Sequence, residues 1–175
     1  MATDPFELYL VIAPISAAFA GFGSLASGLG QRRGGDDARV DAMRFGSMLS
    51  ASLSATLLAL MPATLAGLLL NDQLGVRVSA LLAVLTIIYY APISAGQARK
   101  IRGFPGFSVT GAVANTACTL LALAAFALCL LAVPVARVEA LYLLGLIGLL
   151  GSSIVMFARV IASMLRQHSP RQDVS

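Results

Sequence analysis

Charge is scarce in this sequence: only 11% of its 175 residues are Asp, Glu, Lys or Arg, against roughly 25% in an ordinary soluble domain. With 58% hydrophobic residues, the chain has more apolar surface than its length can bury in a water-soluble core. The surplus must face lipid or other membrane helices. Soluble globular and disordered classes are both excluded. Tryptophan is absent, and the one histidine, His168, falls in the polar C-terminal stretch. Cys118 and Cys129 are eleven residues apart in one apolar run, about 16 Å along a helix, too far to bridge each other. No Cys/His spacing fits a metal centre, so neither a metal nor a cofactor is expected.

Catalytic signatures are missing as well. The sequence has no Gly-rich phosphate loop, no nucleophile elbow and no paired acids inside an apolar run, and it reads as a non-enzyme. No Asp, Glu, Lys or Arg interrupts the centre of an apolar run, which excludes the usual proton relay, voltage sensor or ion-coupled transporter. Twelve basic residues against eight acidic give a net charge of +4. They come in short groups between uncharged runs, a pattern of membrane topology and not of nucleic-acid binding.

What is present is a set of long uncharged runs: Leu8 to Gln31, Phe45 to Asn71, Val78 to Ala98, Gly103 to Ala136 and Ala140 to Ala158. Each reaches the ~18 residues needed to span hydrocarbon. They predict an all-α, polytopic membrane protein: a five-helix transmembrane bundle with helices at about 6–29, 38–70, 75–98, 108–133 and 138–165. A single bundle then covers 1–167 and a polar tail 168–175. Alternate sides carry ten and two basic residues, which puts the rich side in the cytoplasm, the N-terminus outside and the C-terminus inside. Asp4, Pro5 and Glu7 suit the N-cap, first and third positions of helix one. The segment before it has no positive charge, so no cleavable signal is expected. Thr56 to Leu60 resembles Thr119 to Leu123, and Arg77 to Leu81 resembles Arg137 to Leu141, as one duplicated helical hairpin would.

Small residues recur at helix-packing intervals. Ala17, Gly21, Ser24 and Gly28 mark helix one, and Gly145, Gly148 and Ser152 mark helix five. Such spacing lets backbones approach closely, whether inside one bundle or between copies. Helix one is expected at the packed centre of the bundle, with the lining of a self-assembled pore as the alternative. Asn115 is the one strongly polar amide deep enough to need a partner. Pro14, Pro62 and Pro92 each remove a ladder hydrogen bond and free the carbonyls of Leu10, Leu58 and Ile88, making them candidate kinks or hinges. Glu7 is a candidate pore mouth, since in a symmetric assembly around helix one it forms an acidic ring; a plain capping role competes. Tyr9, Tyr142, Tyr89 and Tyr90 fit interfacial aromatic belts.

Glu7-Leu8, then Phe19 to Leu25, Arg44-Phe45, Met48-Leu49, Ser52-Leu53 and Met61-Pro62 form a loose pattern over roughly the first seventy residues. In this pattern the chain resembles a group of small bacterial inner-membrane proteins without assigned function. The resemblance implies a multi-pass protein of the bacterial cytoplasmic membrane and no particular activity or site residues. Eleven arginines against one lysine, with abundant Ala and Gly, also look like a GC-rich bacterial gene. Two functions are expected on these grounds. One is an oligomeric channel or passive transport component gated near Pro14 and Pro62. The other is an accessory or scaffold protein that binds another membrane protein through its small-residue helix faces. The expected partners are the lipid bilayer and either a second copy or another membrane protein, with no nucleic acid.

Overall fold

The computed structural model describes residues 5–30, 36–69, 71–101, 108–131 and 135–168, without the side chains of 5–6, 23–30, 36–44, 97–98, 100–101, 135–137 and 163–168. The described chain is all helix: α1 (Pro5–Gly30), α2 (Asp36–Leu69), α3 (Asp72–Ile101), α4 (Val109–Leu131) and α5 (Val135–His168). Four stretches are long and apolar enough to cross a membrane: Phe45–Leu69, Asp72–Gly96, Val109–Leu131 and Val138–Ala162. In α1 the described apolar stretch is the shorter Glu7–Phe22. α2 and α5, at 34 residues each, are about 51 Å long, well beyond the ~30 Å of a hydrocarbon layer.

Local chemistry sets the starts. α3 begins at Asp72, three residues before the expected start at 75, because Asn71 caps it: the Asn71 side-chain oxygen accepts from the Leu74 amide at 3.0 Å. Ser108 does the same for α4, its hydroxyl accepting from the Gly111 amide at 3.4 Å. Pro14, Pro62 and Pro92 all lie inside helices that continue past them.

Consecutive helices run up and down. Tyr9 of α1 meets Tyr142 of α5, and further along Phe19 meets Phe157, so these two helices run in the same direction. α4 runs against α5, with Phe126 facing Gly145 and Ala122 facing Gly148. The end of the bundle at which α1 begins is called the N-terminal end below, and the other the C-terminal end.

α5 touches all four other helices, whereas α1 touches only α2 and α5 among the described residues. This corrects the expectation that helix one is the packed centre. α1 buries the stripe Tyr9, Ile12, Ala13, Ser16 and Ala20 and exposes its opposite face. The core joins Tyr9 and Ile12 of α1, Ala55 and Leu58 of α2, Val76 and Ala80 of α3, Phe126 of α4, and Tyr142 and Leu146 of α5. The outer surface is as apolar as the core, with Leu57, Ile88, Leu120 and Ile147 all exposed.

Candidate functional site

Tyr142 ties all five helices together. It starts from α5, fully buried, and its hydroxyl donates to the backbone oxygen of Leu58 in α2 at 2.6 Å. That oxygen is the one left without its helical donor by Pro62, itself fully buried. A phenol from another helix therefore supplies the hydrogen bond that proline removes. Ser79 of α3, donating to Gly75 at 2.8 Å, stands within hydrogen-bonding reach of the same hydroxyl. The Tyr142 ring meets Phe126 of α4 edge-on at 5.2 Å and Tyr9 of α1 edge-on at 5.3 Å. Edge-to-face pairs at this separation add ~0.5–1.5 kcal/mol each beyond area burial.

Polar groups gather around this junction. The Tyr9 hydroxyl donates to the backbone oxygen of Glu139 at 3.2 Å, and the Cys129 thiol to that of Val138 at 3.4 Å. The half-buried side chains of Arg77 and Glu139 lie at the same end of the bundle, within electrostatic range of Cys129 and Tyr9 respectively. Cys118 and Cys129 are both free thiols. These contacts overturn the interfacial assignment of two tyrosines: Tyr9 and Tyr142 are 1% and 0% exposed, in the core and not in an aromatic belt. Tyr89 and Tyr90 differ, being exposed and stacked edge-on against each other at 5.3 Å.

A second polar seam joins α4 and α5 toward the C-terminal end. Asn115 is half-buried, and its side-chain oxygen accepts from the buried Ser152 hydroxyl at 2.5 Å. Thr119 donates to the Asn115 backbone oxygen at 3.0 Å. Two turns beyond the seam, Arg159 donates to the Ser108 backbone oxygen at 3.2 Å and lies over Gly111, where a Cβ would collide with its side chain. Glycine makes the α4–α5 approach possible. A Cβ at Gly145 would sit 2.6 Å from the Phe126 ring, and one at Gly148 3.0 Å from the Ala122 backbone nitrogen.

The remaining residues singled out in the sequence do not converge on these two clusters. Glu7 is exposed at the start of α1, and Pro14, Ala17 and Gly21 lie on the exposed face of the same helix. A Cβ at Gly21 would meet nothing within 4 Å, so Ala17 and Gly21 do not pack inside the chain. Ser24 and Gly28 lie outside the described side chains. Pro92 is exposed in α3, within a stretch, 88–95, exposed on every face. Among the described residues no group of three or more His, Cys, Asp or Glu could hold a metal ion.

The orphaned Leu58 carbonyl follows from Pro62 in the sequence, but its donor emerges only in the structure. The signal was there: a freed carbonyl in an apolar interior demands a donor, and Tyr142 lies near the same end of its helix. No protein-family model matches the chain, and no curated protein or solved structure matches it significantly.

Proposed function

We propose that this is a non-catalytic, multi-pass protein of a bacterial cytoplasmic membrane, N-terminus outside and C-terminus inside. In this reading copies assemble around α1 into a channel or passive transport component. The supporting observation is the outward face of α1. Glu7, Pro14 and Gly21 follow one another at seven-residue intervals and are all exposed, a spacing that drifts only ~20° per heptad around a helix. One stripe thus carries an acid at its start, a proline and a glycine, all turned away from the chain's own core. The interior of a single bundle is filled by Tyr9, Phe126, Tyr142 and Leu146, so a path between copies fits better than one through a single chain.

In planar bilayers under asymmetric salt, the purified protein should pass cations, and Glu7→Gln should lower cation selectivity by removing the acidic ring. Silence from demonstrably folded protein rejects the channel. Unchanged selectivity in Glu7→Gln rejects the ring. The orientation has its own test: a reporter fused after Ser175 should be active only in the cytoplasm, and one fused to the chain truncated after Asn71 only outside.

One observation favours the accessory reading instead. Residues 88–95 of α3, including Tyr89, Tyr90 and Pro92, contact little of their own bundle and offer a helix surface to another membrane protein. That reading predicts one unrelated membrane protein recovered repeatedly in mild detergent, and loss of the association in Tyr89→Ala/Tyr90→Ala.

A further inference from the structure

Five hydroxyls inside this bundle share one outlet, and Ser152 finds another in Asn115. Thr56, Thr86, Thr119, Ser79 and Ser153 each donate to the carbonyl four residues back on their own helix, the usual outlet for Ser and Thr in an apolar helix. Ser16 of α1 and Ser52 of α2 do not. Both are 0% exposed, and no described group makes a hydrogen bond with either hydroxyl oxygen.

Register puts the two at one level. Ser16 lies seven residues along α1 from Tyr9, and Ser52 six residues back along α2 from Leu58, whose carbonyl holds Tyr142 against Tyr9. At 1.5 Å per residue these are about 10 Å and 9 Å from the same aromatic junction, in the same direction. On α1 that level falls between Tyr9–Tyr142 and Phe19–Phe157, and Ser153 falls in the same interval on α5. α1, α2 and α5 all pack against one another. The nearest turns of the two stripes are buried Ile12, Ala13 and Ala20 on α1 and Met48 and Ala55 on α2, so apolar side chains close the level above and below.

We propose that Ser16 and Ser52 form an internal hydration site, an ordered water held between α1 and α2 and sealed by the two aromatic pairs. Two buried hydroxyls from facing helices provide the minimum set of partners for a buried water. The small alanines around them suit no larger polar ligand. The proposal stands whether or not copies form a channel.

A double-mutant cycle on melting in detergent, paired with a high-resolution density map of the wild type, tests it. Ser16→Ala and Ser52→Ala should each lower the melting temperature, and the double variant should melt no lower than the weaker single, because one lost hydroxyl already releases the water. The map should show density within hydrogen-bonding distance of both Oγ atoms. Additive losses would overturn the site. So would a map in which the two Oγ atoms bond each other directly, or turn back to the Ile12 and Met48 carbonyls.

Discussion

The small-residue stripes of α5 and α1 have similar spacing, but Gly145 and Gly148 on one and Gly21 on the other have opposite surroundings. Gly145 and Gly148 lie under Phe126 and Ala122, where an added Cβ would come within 2.6 Å and 3.0 Å of a neighbour. Gly21 faces open space, and Ala17 one turn earlier is exposed with it. Small residues at three- and four-residue intervals make close approach possible. They do not say whether the approaching surface belongs to the same chain. In α5 it does. In α1 the face remains for lipid or for another molecule.

That contrast is sharpest under substitution. Gly145→Leu should cost ~3 kcal/mol or more by overpacking against Phe126, roughly a 10 °C loss of melting temperature for a domain of this size; melting in detergent reads it. A stable, folded Gly145→Leu protein would mean that the α4–α5 seam is not close-packed. Tyr142→Phe comes next. It keeps the ring and removes the donor to Leu58, leaving a buried carbonyl unsatisfied at ~1–3 kcal/mol. Pro62→Ala restores a backbone N–H to that carbonyl, so in this background the cost of Tyr142→Phe should fall below ~0.5 kcal/mol. Equal costs in both backgrounds would break the link between the phenol and the proline. Asn115→Ala should lose ~1 kcal/mol, since it strips the partner from the Ser152 hydroxyl within an apolar seam; the same melting assay reads it. Gly21→Leu should move melting of the single chain by no more than ~0.5 kcal/mol. If copies meet through α1, it should nevertheless reduce cross-linking between them in native membranes. A large loss of stability in Gly21→Leu would erase the contrast with α5.

Much of the fold could be read from residue order. Uncharged runs long enough to span hydrocarbon locate α2 to α5, and the helix formed by α1 follows from the same reasoning. The start of α3 was harder. The sequence places it at about 75, yet Asn71 caps the helix and Gly75 lies a turn inside it, where a Cβ would come 2.8 Å from the backbone nitrogen of Ala66 on α2. Gly75 is thus a contact residue of the α2–α3 hairpin.

The candidate junction was legible only by halves. Pro62 implied an unsatisfied carbonyl at Leu58, and the structure supplies its donor. Tyr9 and Tyr142 were placed at interfacial depth, where a tyrosine can face headgroups or a neighbouring helix with equal ease. Depth along a helix follows from counting residues. Facing depends on rotation about the helix axis, which these uniformly apolar helices do not mark.

Composition and run length alone determined the class of this protein: all-helical, with the apolar lengths of a multi-pass membrane protein and no motif of catalysis. Charge placement gave an expected orientation. Tertiary structure alone decided that α5 is the centre and α1 the periphery, that Tyr142 joins five helices, and that Gly145 and Gly148 are covered while Gly21 is open. The physical reason is the solvent. Water separates polar from apolar faces and writes that division into the sequence, but lipid is as apolar as leucine, so inside and outside faces carry the same residues. Which of them meet is settled by shape and by the few hydrogen bonds that apolar surroundings make costly to leave unmade.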